Sequence, residues 1–260
     1  RRESTEDIVL AVARLASEKT GALIVMERDI GLRTFIESGA RLAAHISRDL
    51  LLSDVWDYAY TGGDSSGGLT NLCHNAVDRH AAKRPNDRAL IFVSTETDEE
   101  KVYSFAELQR EVERMAAIYK SLGVKRGDRV LIYMPMIAQA CFAILASARI
   151  GAIHSVVFGG FASGSLATRI DDAMPVLVVS ADAGMRGGKA VPYKDLLDEA
   201  IDLAEYKPSN VLMVDRGIDK GFNKVEGRDV DFATLRAEHM DAQVPCEWME
   251  SSEPSYILYT

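Results

Sequence analysis

Two cations and two glycines follow one another in the segment 185–189, which reads Met-Arg-Gly-Gly-Lys. Arg186 and Lys189 carry positive charge, and Gly187 and Gly188 make the segment flexible, so the residue types suit the binding of a phosphate group. The segment comes shortly after a predicted strand that ends near Ser180. The residues alone leave a second interpretation open, a solvated loop with two surface cations.

A second glycine pair lies in the segment 157–163, which reads Val-Phe-Gly-Gly-Phe-Ala-Ser. Phe158, Gly159 and Gly160 stand directly after a predicted strand and before a predicted helix. Paired glycines let backbone N–H groups approach a ligand closely, and the amino terminus of a helix favours an anion. A simple tight turn between strand and helix explains the same pattern. Neither segment has the glycine spacing of a Walker or dinucleotide-binding motif.

Other polar residues give weaker indications. Asp182, just after a strand, is a candidate for orienting a loop. Asp171 and Asp172 are adjacent on a predicted helix and do not face each other, which favours a solvated helix face over acid–base chemistry. His154 lies within a strand, where a hydrogen-bonded core histidine is expected rather than a catalyst. The sequence therefore predicts no catalytic residue in this chain.

Cysteine and histidine positions predict no metal site. The cysteines at 73, 141 and 246 are far apart, and the five histidines show no His-x-x-x-His pattern. We expect three buried or idle thiols in a reducing compartment, and hence a cytoplasmic protein.

Charge and hydropathy exclude two classes of partner. The net charge of −9 argues against a nucleic-acid-binding surface and against a polybasic membrane anchor. The longest apolar stretch, 137–148, is about half of what a bilayer span needs. The first residues contain neither a start methionine nor an apolar signal core, so we expect that the chain begins inside a longer reading frame.

A stretch rich in glycine and serine divides the sequence. Residues 61–68 read Thr-Gly-Gly-Asp-Ser-Ser-Gly-Gly, which is typical of a flexible linker. Residues 1–53 hold equal numbers of acidic and basic side chains, so all of the net negative charge comes from residues 54–260. We predict a small α/β fragment over 1–53, a linker over 54–68 and a domain over 69–260. A long surface loop within one domain is the alternative.

The elements after the linker alternate in type. Strands with nearly continuous apolar runs are predicted at 130–134, 153–158, 176–180 and 211–214, with helices at 136–150, 166–173 and 193–206 between them. Ser104 and Glu107 predict a capping box at the start of another helix. Such alternation indicates an α/β fold with a partial doubly wound, mainly parallel sheet. Ligand loops in such sheets follow the carboxyl ends of the strands.

Several long runs in 69–260 resemble the amino-terminal part of the AMP-forming short-chain acyl-CoA synthetases, within the adenylate-forming ligase fold. They are 70–80 (TNLCHNAVDRH), 148–163 (ARIGAIHSVVFGGFAS), 181–189 (ADAGMRGGK) and 253–260 (EPSYILYT). The form Cys-His-Asn-Ala-Val at 73–77 favours the propionyl over the acetyl member.

The resemblance implies a ligase that uses ATP and Mg²⁺ to activate a short-chain carboxylate as an acyl-adenylate and then transfers the acyl group to CoA. It implies that Arg186, Gly187, Gly188 and Lys189 contact CoA phosphates. It also implies that Phe158, Gly159 and Gly160 border the adenine of CoA. Thr260 would stand at the start of the phosphate loop that holds ATP.

The same resemblance implies that 260 residues are too few for the reaction, because the family's phosphate loop, acyl pocket and adenylation lysine follow the position of Thr260. A non-catalytic module that binds CoA or another nucleotide is the alternative. Residues 1–53 resemble the start of a bacterial diadenylate cyclase domain, through 21–32, 35–39 and 45–53. The nucleotide motifs of that second family, Asp-Gly-Ala and Arg-His-Arg, do not occur in this sequence, which argues against synthesis of cyclic di-AMP. The two resemblances together indicate a fusion, natural or artefactual.

Overall fold

The computed structural model of the chain describes residues 68–94, 97–157, 159, 161–186, 188–219 and 223–259. These residues fall into two compact units. In one unit the described residues are 68–70 and Trp248–Glu253, and they contain a short antiparallel pair of strands. The other unit comprises Asn71–Glu247 and Pro254–Thr260. Of the described helices, none is both long and apolar enough to cross a bilayer.

The second unit is organised by one parallel sheet and two antiparallel strand pairs, while the first unit contributes the pair β1–β11. The described strands are β1 (Leu69–Thr70), β2 (Arg88–Ser94), β3 (Glu99–Ser104), β4 (Arg129–Tyr133), β5 (Ile153–Val157), β6 (Leu177–Ala181), β7 (Gly184–Arg186), β8 (Lys189–Val191), β9 (Asn210–Val214), β10 (Asp229–Asp231), β11 (Met249–Glu250) and β12 (Tyr256–Ile257).

The described helices include a π-helical turn, His74–Asp78, that runs directly into the first α-helix. The α-helices are α1 (Arg79–Lys83), α2 (Phe105–Ser121), α3 (Ala138–Arg149), α4 (Ser163–Ala173), α5 (Tyr193–Leu203) and α6 (Phe232–Glu238). The predicted capping box is present at α2, where the Ser104 side chain accepts from the Glu107 N–H and the Glu107 carboxylate accepts from the Ser104 N–H.

Six strands form the parallel sheet in the order β10-β9-β6-β4-β5-β12. Alternate residues of the central strand β4 point to opposite faces. Val130 and Ile132 join the core that contains α2 and α3, whereas Leu131 and Tyr133 join the core that contains α4 and α5. Helices therefore cover both faces, and the predicted doubly wound α/β fold is confirmed.

The chain leaves the carboxyl edge of this sheet in two directions. After β4 it enters α3 on one face, while after β5 and β6 it reaches α4 and α5 on the other. Because neighbouring strands send their connections to opposite faces, this edge opens into the crevice where doubly wound sheets bind ligands. Both predicted glycine segments follow strands at this edge.

The structure differs from the sequence prediction in several elements. The segment 185–189 forms a hairpin rather than a loop, and the short strands β1, β10 and β11 and helix α6 were not predicted. The predictions for the fragment 1–53 and for most of the linker 54–68 fall outside the described residues.

Candidate functional site

The two cations stand opposite each other in a short hairpin. Strands β7 and β8 pair in antiparallel register, with Arg186 opposite Lys189 and Gly184 opposite Val191. Gly188 has a φ of +77°, a conformation that favours glycine over other residues in a two-residue turn. Arg186 and Lys189 are both exposed, so the hairpin presents two positive charges from neighbouring strands on one small surface.

A buried tyrosine brings the glycine turn after β5 next to this hairpin. Tyr193, the first residue of α5, is 7% exposed. A Cβ placed on Gly159 would lie 1.6 Å from the Tyr193 hydroxyl oxygen, and a Cβ on Gly184 would lie 2.8 Å from Cε2 of the same ring. Both glycines are therefore places where the backbone passes directly against the ring, and any larger residue at either one would displace it.

Tyr133 continues this packing to the end of β4. Its ring lies 4.9 Å from the ring of Tyr193, and its hydroxyl donates to the carbonyl of Phe161 at 3.5 Å. Burial and the neighbouring Tyr193 raise the pKa of Tyr133 to about 12. The phenol is therefore neutral at pH 7 and acts as a hydrogen-bond donor rather than as an anion that would repel a phosphate.

Asp182 orders the backbone beside the hairpin. Its carboxylate is fully buried, and it accepts hydrogen bonds from the backbone N–H groups of Arg216, Ile218 and Asp219 at 3.0, 2.9 and 3.1 Å. Arg216 in turn donates to the carbonyl oxygen of Ala183 at 3.0 Å. The prediction that Asp182 orients a loop is confirmed, and the loop is the one that follows β9.

The predicted site residues are described in part. Gly159, Arg186, Gly188 and Lys189 have defined positions, and the contacts of Tyr193 place Gly159 near the strand that carries Arg186. The interpretations of Phe158, Gly160, Gly187 and Thr260 lie outside the described residues.

Sequence reasoning missed Tyr193, since an aromatic residue after Val191-Pro192 has no distinctive local pattern. The expectation of a hydrogen-bonded His154 holds only in part: its side chain is hydrogen-bonded to the Ser255 backbone, but its Nδ1 is buried without a partner among the described residues. Burial lowers the pKa of His154 to about 4, against a smaller opposing effect of the Ser255 backbone. The ring is therefore neutral at pH 7.

The two adjacent aspartates lie on the face of α4 that was expected to be solvated, with Asp172 exposed and Asp171 partly buried, and each is also hydrogen-bonded. Asp171 accepts from the backbone N–H of Tyr206 at 2.8 Å, and Asp172 accepts from the Tyr259 hydroxyl at 2.6 Å. Each carboxylate serves a different segment, which agrees with the prediction that they do not act as a pair.

Comparison with known proteins finds a family match and several similar proteins. The family described as AMP-binding enzyme matches residues 77–260. The propionate–CoA ligase of Salmonella typhimurium is 64% identical over 194 residues, which is 75% of this chain and 31% of that protein. The acetyl-coenzyme A synthetase of Pasteurella multocida is 43% identical over 196 residues, 75% of this chain and 29% of that protein.

A solved structure shows the same architecture. The acetoacetyl-CoA synthetase from Streptomyces lividans superposes with a TM-score of 0.69 at 29% identity, covering 82% of this chain and 33% of that one. The chain thus spans about a third of the length of the relatives it matches.

Proposed function

Because the chain belongs to the AMP-binding enzyme family, we propose that it forms the CoA-binding, amino-terminal part of a ligase that joins propionate or acetate to CoA. In this reaction the carboxylate attacks ATP to give an acyl-adenylate and pyrophosphate. The CoA thiol then attacks the acyl carbon and AMP leaves. The higher identity to a propionate–CoA ligase than to an acetyl-coenzyme A synthetase supports propionate as the carboxylate.

One observation carries the assignment of CoA to this part of the chain. Gly159 and Gly184 approach the same ring, that of Tyr193, so the glycine turn and the base of the hairpin lie side by side. A nucleotide that rests its adenine against the turn 158–160 has the exposed cations Arg186 and Lys189 beside it for its phosphates. Gly187 and Gly188 keep side chains away from those phosphates, and charge-assisted hydrogen bonds from the two cations hold them.

The proposal also covers the organisation of the chain and the other cofactors. Residues 69–260 form the first part of the AMP-binding domain, 54–68 form a linker, and 1–53 are a separate piece that resembles diadenylate cyclases. Thr260 begins the loop for the ATP phosphates, and Mg²⁺ accompanies ATP there. None of the described residues is assigned a catalytic role, and the protein is assigned to the cytoplasm.

Calorimetric titration with CoA tests the hairpin directly. We expect Arg186→Ala and Lys189→Ala each to weaken CoA binding roughly tenfold, since a hydrogen bond to a charged group contributes about 1.5 kcal/mol. Dephospho-CoA, which lacks the 3′-phosphate, is expected to bind the unaltered chain more weakly than CoA. It is also expected to lose less affinity on these substitutions.

Arg110→Ala supplies the matched control, because Arg110 is an exposed cation on α2. Its loss should leave the affinity for CoA unchanged. Equal heats of CoA binding for the unaltered chain and Arg186→Ala would show that the hairpin is not part of the CoA-binding site.

A second assay separates a ligase part from a complete enzyme. We expect the 260-residue chain to give no propionate-dependent exchange of pyrophosphate into ATP, because it corresponds to only 31% of the length of the related ligase. The full-length Salmonella typhimurium ligase is the positive control. Exchange by the 260-residue chain would contradict the assignment of adenylation to residues outside it.

A further inference from the structure

Cys73 and Cys246 are distant in sequence but lie side by side in the structure, in a cluster that contains no residue of the hairpin. Their sulfur atoms and a carboxylate oxygen of Asp78 all lie within 4.8 Å of one another. Cys73 precedes the π-helical turn and is fully buried, whereas Cys246 is only partly buried. We propose that these two cysteines form a reversible intramolecular disulfide on oxidation.

The distance between the sulfurs is within reach of a covalent bond. A disulfide has an S–S length of about 2.05 Å, so sulfurs within 4.8 Å need to approach by less than about 3 Å. A change of side-chain rotamer supplies a movement of this kind. Cys141 is the third free cysteine, and it is not part of this cluster.

Arg149 gives the cluster a positive charge next to sulfur. Its Nη1 lies 3.3 Å from Sγ of Cys73, and the residue as a whole is 1% exposed. The same guanidinium is bound by the carboxylates of Asp78 and Glu113, so its charge stays paired when the disulfide forms.

Asp78 stays fully hydrogen-bonded when the thiol protons are lost. Its two oxygens accept from Nη1 and Nη2 of Arg149 at 2.8 Å each, and Gln109 donates to it at 2.8 Å. The contacts from Sγ of Cys73 and Cys246 are longer, at 3.8 and 3.5 Å. Oxidation therefore removes two weak donors and leaves no unpaired buried carboxylate.

The same contacts argue against a metal ion in this place. A divalent cation held by the two sulfurs and Asp78 would take an oxygen that already accepts from Arg149, with the guanidinium charge beside it. A disulfide brings no added positive charge and keeps the pair of Arg149 and Asp78 intact. The arrangement of charges thus favours the disulfide.

We take hydrogen peroxide as the oxidant, and one molecule of it oxidises two thiols to one disulfide. One thiolate attacks a peroxide oxygen, the O–O bond breaks, and a sulfenic acid forms while hydroxide leaves and is protonated to water. The second thiolate attacks the sulfenic sulfur, the S–S bond forms, and a second hydroxide leaves as water. Two electrons pass from the thiols to one peroxide.

The hydrogen bond with Cys73 and burial raise the pKa of Cys246, so the test is made in mildly alkaline buffer.

Peptide mapping of the native 260-residue chain after peroxide treatment tests the proposal. Trypsin cleavage after Arg48, Arg79, Arg129, Arg149 and Arg236 leaves each cysteine on a different peptide. We expect a cross-link between the peptides of Cys73 and Cys246 that dithiothreitol removes, and a higher melting temperature of the oxidised chain than of the reduced one.

Variants supply the matched comparison. Cys141→Ser should form the cross-link as the unaltered chain does, whereas Cys73→Ser and Cys246→Ser should form none. Two results would overturn the proposal: oxidation of single cysteines to sulfinic acid with no cross-link in the unaltered chain, or stoichiometric zinc binding that protects Cys73 and Cys246 from peroxide. Both are read from the unaltered chain, so they do not depend on whether a variant folds.

Discussion

Replacing Arg149 by methionine is expected to lower the free energy of unfolding by about 3–5 kcal/mol, the range found when one partner of a buried ion pair is removed. Arg149 pairs with Asp78 through two hydrogen bonds of 2.8 Å and with Glu113 through one of 2.9 Å. It also donates to the carbonyl of Val244. Methionine fills similar volume but leaves two partly buried carboxylates without a cation.

The expected loss of stability depends on pH, because the pKa values of Asp78 and Glu113 are shifted in opposite directions. Burial alone would raise the pKa of Asp78, but hydrogen bonds and charge from Arg149 bring it below the ordinary value of 3.8. A lowered pKa in the folded state contributes stability above the unfolded pKa, and this contribution is lost as the pH falls through the folded pKa. The difference between the unaltered chain and Arg149→Met should therefore be largest near neutral pH and shrink below about pH 4.

Glu113 acts in the opposite direction. Burial raises its pKa above 4.5 despite the charge of Arg149, and Asp78 adds to the increase. A raised pKa in the folded state contributes stability below the unfolded pKa, and this contribution is lost as the pH rises through the folded value. The pH dependence from Glu113 thus partly offsets that from Asp78 in the unaltered chain.

Urea unfolding followed by circular dichroism measures these differences. Arg110→Met is the control, since an exposed arginine outside the cluster should change the free energy by no more than about 0.5 kcal/mol. If Arg149→Met unfolds at the same urea concentration as the unaltered chain at neutral pH, the cluster does not stabilise the fold.

Local sequence patterns were enough to predict the framework of the sheet. The apolar run 130–134 predicts a buried strand, and the structure has β4 at Arg129–Tyr133 between β5 and β6. The capping box of Ser104 and Glu107 was predictable because its two partners are three residues apart. Elements of this kind depend on neighbours in sequence, and their chemistry is visible there.

Contacts between distant residues were not predictable in the same way. The side chains of Asp78 and Cys246 meet across 168 residues of sequence, so the thiols appeared to be isolated. The hairpin was predicted as a loop, since strands of three residues on each side of two glycines are too short to give an alternating pattern. Its cations were identified correctly as a pair, while the ring that holds the hairpin base beside the glycine turn was found only in the structure.

Replacing Gly159 by alanine is expected to destabilise the chain by about 1–3 kcal/mol, as overpacking of a filled site does. The new Cβ would lie 1.6 Å from the Tyr193 hydroxyl oxygen and 2.3 Å from Cζ, closer than any real Cβ contact, so the ring must move. Its space is limited, because Gly184 and Tyr133 lie against the same ring.

The same substitution is expected to weaken CoA binding by roughly tenfold or more, a change of about 1.4 kcal/mol, since displacement of Tyr193 separates the glycine turn from the hairpin. Thermal unfolding and calorimetry on one preparation measure both effects. Gly164→Ala is the matched control, because a Cβ at Gly164 meets no atom within 4 Å and the residue lies in α4. Alanine there should stabilise the helix by up to about 1 kcal/mol and leave CoA binding unchanged.

A double substitution identifies the tyrosine as the cause. If the loss of stability in Gly159→Ala comes from the contact with Tyr193, that loss should be much smaller in a Tyr193→Leu background. Leucine does not extend to the position of the tyrosine hydroxyl oxygen. The two substitutions would then be strongly non-additive in the free energy of unfolding. Additive costs, or a Gly159→Ala chain as stable as the unaltered one, would mean that Gly159 is not fixed by this ring. The link between turn and hairpin would then need another explanation.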